Sequence, residues 1–120
     1  MVYPIGVFSS KVGLAASTLR YYEQQKLLSV KRDKAGRRIY DETDIPWLAF
    51  IIRLKETGMP IREIREYARL RSLGDSTMAG RLILLRQHKE RVQAEQQKLS
   101  SHLENLDRKI EFYQASLAKK

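Results

Sequence analysis

Thr18-Leu19-Arg20-Tyr21-Tyr22-Glu23, followed by Leu27-Leu28 and by the basic run Lys31-Arg32-Asp33-Lys34-Ala35-Gly36-Arg37-Arg38-Ile39-Tyr40, decides how this chain is read. The hexapeptide lies in a span from about Ala16 to Gln25. There helical spacing turns Leu19 and Tyr22 to one side and Ser17, Arg20, Tyr21 and Gln24 elsewhere. Upstream, Ile5, Phe8 and Val12 mark one face of an earlier helix that Gly13 breaks. Two short helices about a glycine-containing turn form the helix-turn-helix pattern. In the basic run, apolar and charged residues alternate on either side of Asp33-Lys34-Ala35-Gly36, which predicts a small β-hairpin, a wing.

The charge is concentrated on that hairpin. Residues 31–40 carry Lys31, Arg32, Lys34, Arg37 and Arg38 against Asp33, within a chain of formal charge +9. Such a balance points to a polyanionic partner. A helix entering a major groove needs hydrogen-bonding groups near its N-terminal half, and Ser17, Thr18, Arg20 and Tyr21 supply them. Arg32, Lys34, Arg37 and Arg38 are then placed to hold phosphates and to add salt-dependent affinity. Double-stranded DNA is the expected partner.

Beyond the wing, Asp41 is positioned to N-cap a third helix whose apolar face is Ile45, Leu48 and Ile52, with Phe50 and Ile51 beside it, and which Gly58 ends. Pro46 is expected to bend or shorten its start. A fourth helix runs from about Ile61 to Leu70 with Ile61, Ile64, Tyr67 and Ala68 inward, and Arg62 at its start is a further candidate DNA contact. After a boundary at residues 73–76, apolar residues fall into heptads: Leu85, Val92, Leu99, Leu106 and Tyr113 at d; Leu82, Leu103, Ile110 and Leu117 at a; polar Lys89 and Gln96 between them. A helix of about 40 residues is roughly 60 Å long and cannot bury such a stripe against so small a head. The stripe reads as a homodimer seam. The expected fold is mainly α: a winged helix-turn-helix head over 1–72 with one small β-hairpin, a linker over 73–76 and a long dimerisation helix over 77–120.

Composition narrows the chemistry. With no cysteine there is no disulfide, thiolate metal site or cysteine nucleophile. His88 and His102 read as solvated residues too far apart to share a metal. No nucleophile–base pair, Gly-rich phosphate loop or carboxylate cluster suggests an active site, so neither an enzyme nor a metal or cofactor is expected. MVYPIG lacks the features of a secretory signal, and the apolar run Trp47–Ile52 is too short to span a bilayer, so a cytoplasmic protein without a membrane partner is expected.

The order of elements also resembles the MerR-type transcription regulators. The resemblance is carried by Ile5-Gly6, Thr18-Leu19-Arg20-Tyr21-Tyr22-Glu23 with Leu27-Leu28, Arg38-Ile39-Tyr40, Asp44-Ile45, Arg53-Leu54-Lys55, Gly58-Met59 and Arg62-Glu63-Ile64. It covers about the first 70 residues. It implies a homodimer, joined by an antiparallel coiled coil, that binds a pseudo-palindrome in a promoter spacer and distorts it. RNA polymerase is then engaged indirectly, at the same promoter. Carried over by position, the resemblance puts Thr18, Arg20 and Tyr21 on the recognition helix and Arg38 and Tyr40 on the wing. The chain departs from many relatives at Ala15 and Pro60, where a serine is common, and at Arg37, where an aromatic is common. It looks like a cysteine-free short form without a separate effector domain, for which any effector site would lie between head and helix near Met59, Tyr67 and Tyr113. Two other readings compete: a coiled-coil adaptor whose head binds protein, and an architectural DNA binder without sequence preference.

Overall fold

Ile5, Phe8 and Val12 form one face of α1 (Ile5–Val12), where Phe8 is fully buried. Gly13 closes the helix at φ 71°, a left-handed conformation that costs glycine little, and its N–H donates to Ser9 O at 3.0 Å. Ala15 then takes the N-cap position of α2 (Ala16–Gln24) without a side-chain cap. Leu19 and Tyr22 are buried, while Ser17, Arg20, Tyr21 and Gln24 stay exposed, as their spacing predicts. The computed structural model describes residues 1–119.

The wing is built on β2 (Lys31–Arg32) and β3 (Arg38–Asp41), paired antiparallel with Arg32 opposite Arg38. Its turn is held by Asp33, whose Oδ1 accepts the N–H groups of Ala35 and Arg37 at 2.9 Å each, and Gly36 supplies the φ of 80° that brings the chain round. The sheet differs from the expected single hairpin. Val2–Pro4 forms an additional strand, β1, which pairs with the other edge of β3 through Val2–Asp41, Tyr3–Tyr40 and Pro4–Ile39, so the order is β1-β3-β2. Three residues ending in proline offer no alternation to read, which is why the strand has no sequence signal.

β3 is therefore a central strand, and its Tyr40 turns inward. The ring stacks on Phe8 with centroids 4.6 Å apart and planes 3° from parallel, and only 2% of the residue is exposed. Tyr3, paired with Tyr40 across the ladder, also stacks on Phe8, with centroids 6.2 Å apart, and its hydroxyl donates to the Glu42 carboxylate. The expected role of Tyr40 as a DNA contact on the wing is thus corrected: burial removes it from the surface, and its Oη finds no hydrogen-bond partner among the described residues.

The third helix, α3 (Asp44–Glu56), begins three residues after Asp41. Asp41 instead accepts the Thr43 N–H at 2.9 Å, while its own N–H donates to Asp44 Oδ2 at 2.9 Å, two bonds that lead into the helix. Pro46 does not disturb it. Pro46 is the third residue of α3, and the first four helical N–H groups have no intrahelical acceptor to lose. The buried face is Trp47, Leu48, Ile51 and Leu54; of the expected stripe Leu48 and Ile51 are buried, whereas Ile45, Phe50 and Ile52 are only half-buried. Helix α4 (Ile61–Ser72) starts after Pro60 and buries Ile64. Tyr67 stacks on Trp47 at 5.8 Å, and Trp47 Nε1 donates to Leu27 O at 2.9 Å, tying the loop after α2 to α3.

A short 3-10 turn (Asp75–Thr77) precedes α5 (Met78–Ala118). The chain divides into two compact units, 1–84 and the remainder from 85. In the second unit the helix carries Leu99, Leu103, Leu106, Ile110, Tyr113 and Leu117, each more than half exposed, as an open apolar stripe; Leu85 and Val92 are half-buried. His88 is buried rather than solvated, whereas His102 is exposed.

The stacked pair yields a two-part prediction. Tyr40→Ala should cost about 3–5 kcal/mol in denaturant unfolding, as large-to-small aromatic truncations in a core do. Tyr40→Phe should keep full stability or gain up to about 1 kcal/mol, because it removes a buried hydroxyl without a protein partner. A Tyr40→Phe variant that folds normally but loses DNA affinity would restore the residue to the interface.

Candidate nucleic-acid interface

Helix α2 and the wing are joined by charge. Glu23 Oε1 accepts a hydrogen bond from Arg38 Nε at 2.7 Å, and Oε2 accepts one from Arg32 at 3.4 Å. The wing is thereby held beside the C-terminal half of α2. Arg65, from α4, donates to Gln25 O at 3.0 Å and to Gln25 Oε1 at 2.7 Å, bracing the exit of the same helix. Just beyond, Lys26 adopts φ 63°, a left-handed conformation that is uphill for a residue with a Cβ, and the Leu27 N–H reaches back to Tyr22 O at 2.9 Å. Helix α2 thus has a fixed end as well as a fixed side.

On its outer face Ser17, Arg20 and Tyr21 present polar groups to solvent, and Thr18 is half-buried beside them. Lys55, at the end of α3, sits 5.7 Å from the Tyr21 ring and 5.0 Å from Tyr22. It belongs to the same surface, and its place in Arg53-Leu54-Lys55 is the one sign of this in the sequence.

The wing cations are not equivalent. Lys34, at the turn, is exposed and forms no ion pair with any described residue. Arg37 is 79% exposed, pairs with Asp33 at 3.2 Å, and extends from the turn. Arg38 is only 28% exposed and is committed to Glu23. Backbone donation from Arg37, supported by Ala35 and by the Arg37 charge, holds the Asp33 carboxyl below its usual range. A depressed carboxyl pKa stabilises above the unfolded value and is lost as pH falls through the folded one, so the turn keeps its order at neutral pH and loosens only in acid.

Arg62 is exposed and lines a groove of about 570 Å³ in the first unit, together with Glu23, Lys26, Trp47, Arg65 and Arg69. Met59 and Tyr67, two of the expected effector residues, do not line it. Met59 is 4% exposed within the core and Tyr67 is packed on Trp47, so both serve the head's interior, while Tyr113 is an exposed residue of the second unit. Among the described residues there is no group of three or more His, Asp or Glu able to hold a metal ion, and no helix long and apolar enough to cross a membrane.

A helix-turn-helix whose exposed helix is flanked by a cationic wing defines a DNA-binding class of protein. Comparison with known proteins makes the class specific. Residues 3–70 match the MerR HTH family regulatory proteins, and residues 45–109 match the MerR DNA-binding family. The chain belongs to the MerR family of transcription regulators. It is 34% identical to an uncharacterized HTH-type transcriptional regulator of Haemophilus influenzae over 119 residues, covering 98% of this chain and 88% of that protein. It is 39% identical to the regulator AdhR of Bacillus subtilis over 89 residues, 73% of this chain and 64% of AdhR. Among solved structures, HiNmlR, a MerR family regulator lacking the sensor domain and bound to promoter DNA, superposes with a TM-score of 0.83 at 34% identity, covering 98% of this chain and 94% of that one. A MerR family regulator of Bacillus thuringiensis superposes at 0.77 with 35% identity, covering 92% and 97%.

The open position of Lys34 sets an expectation for binding assays. Lys34→Ala should weaken all duplexes alike and flatten the log–log salt dependence by about 0.9, the contribution of one phosphate contact. A loss confined to one DNA sequence would assign Lys34 to base reading instead.

Proposed function

We propose that the chain acts as a homodimer on a pseudo-palindromic promoter spacer, which it distorts so that RNA polymerase is affected indirectly, through the shape of the promoter. The observation that carries this reading is the union of α2 and the wing around Glu23. It puts an outward-facing set of hydrogen-bonding side chains beside a cationic arm whose inner strand is packed into the head through Tyr40 on Phe8. Ser17, Arg20 and Tyr21, with Thr18 at the edge, are the readers of bases; Lys34 and Arg37 at the wing turn hold the backbone, with Arg32, Arg38 and Arg62 beside them.

The dimer is supported by the exposed heptad stripe Leu99, Leu103, Leu106, Ile110, Tyr113 and Leu117, which Leu85 and Val92 continue toward the N-terminal end of the helix. An apolar face of this length in water favours pairing with a second copy, and an antiparallel coiled coil places two heads on symmetric half-sites. HiNmlR, with which the chain shares its fold over almost its full length, is itself bound to promoter DNA. Distortion of the spacer lets sequence-dependent stiffness contribute specificity at base pairs the protein does not touch.

Selection of bound duplexes from a random pool, followed by footprinting, tests the reading. A two-fold symmetric site is expected, and uniform protection without a preferred site would support an architectural role instead. Arg20→Ala should lower discrimination at one base position in each half-site by about 1–3 kcal/mol. Introducing charge into the seam with Leu99→Glu and Leu106→Glu should convert the dimer to monomer in sedimentation and abolish the symmetric footprint. A folded double variant that remains dimeric would remove the seam from this assignment.

A further inference from the structure

Glu23 lies among the cations of the interface, on α2 but turned off the face of Ser17, Arg20, Tyr21 and Gln24 and toward the wing. Its two oxygens are shared between Arg38, at 2.7 Å, and Arg32, at 3.4 Å, which are the two residues facing each other across the β2–β3 ladder. A carboxylate offers an arginine two oxygens in nearly the arrangement a phosphate does. Glu23 therefore occupies, from within the chain, the groups that a DNA backbone would use. Lys34 and Arg37 are different: Lys34 has no acidic partner among the described residues, and the partner of Arg37 lies in its own turn, so both stay open to solvent.

We propose that Glu23 is a specificity-determining positioning residue that withholds Arg32 and Arg38 from the phosphates of arbitrary duplex and releases them only where α2 has docked on its own bases. The physical reason is competition. The pair is partly exposed, so water and salt weaken it, and a phosphate brought into register by base contacts can displace it. A phosphate met in passing, without that register, competes against a carboxylate already in place. The wing thus has a tip that searches and a base that commits. This inference rests on the wing's proposed role as a phosphate clamp.

The test is the salt dependence of binding by the full chain to random-sequence duplex and to its selected site. Glu23→Gln keeps the shape and removes the charge. It should steepen the slope on random duplex by about 1–2, because each additional phosphate contact adds about 0.9, and should raise affinity for random duplex several-fold at low salt. Affinity for the selected site should rise less, so the ratio between the two falls. In a background of Arg32→Gln and Arg38→Gln the effect of Glu23→Gln should vanish; its persistence there would reveal a mere change in net charge and overturn the proposal, as would an unmoved or shallower slope for Glu23→Gln alone. If Glu23→Gln melts early, the double arginine variant with Glu23 intact still decides. It should leave the random-duplex slope nearly unchanged while weakening the selected site, and a drop of about 2 in the random slope would overturn the idea. A wild-type chain that binds neither duplex would overturn the DNA-binding reading itself, whereas wild-type binding with an unmoved Glu23→Gln slope overturns only the role of Glu23.

Discussion

The face-to-face stack of Phe8 on Tyr40 is the contact on which the rest of the head depends. A hairpin of a two-residue and a four-residue strand has little stability of its own in water. Here its inner strand is clamped from two directions: β1 pairs along its free edge, and the Tyr40 ring is buried against the first helix of the helix-turn-helix. The wing is consequently part of the same core as α1 and α2, and its cations have a defined place relative to α2. Without that anchor the basic run would be a flexible charged loop, able to attract DNA but not to hold a register upon it.

Charge then refines what packing establishes. Glu23 faces Arg32 and Arg38, Arg65 closes on Gln25, and Asp33 ties the wing turn to the backbone of Arg37. Each pair is partly exposed and individually weak, so its value lies in orientation more than in stability. Cations left open, Arg20, Lys34 and Arg62 among them, are on elements these pairs hold in place. Fold and affinity are in this sense divided: aromatic and aliphatic burial makes the frame, and the ion pairs decide which cations the frame offers.

Much of this was legible in the residues. The periodicity of Ile5, Phe8 and Val12, the hexapeptide from Thr18 to Glu23 and the Asp33–Gly36 turn each have a local physical cause, so reading them one segment at a time succeeded. The features not legible in this way all have a non-local cause. Val2–Pro4 is a strand only because β3 offers it an edge. Tyr40 looks like a wing residue until Phe8 is found on its ring. The buried face of α3 is Trp47, Leu48, Ile51 and Leu54 because Trp47 must reach Leu27 and Tyr67, whereas hydrophobicity alone could not choose among so many apolar neighbours. Pro46 is harmless because the helix begins at Asp44, a boundary that hydrogen bonds with Asp41 help to define.

The stretch from Thr18 to Tyr40 by itself therefore determined the class of this protein: an exposed polar helix face, a tight turn and a dense run of cations follow from spacing and charge along the chain. Only the tertiary structure decided what each cation does. Arg38 and Lys34 carry the same charge, yet one is half-buried against Glu23 and the other stands free in water. That difference arises from residues fifteen positions apart meeting in space, which no local pattern encodes.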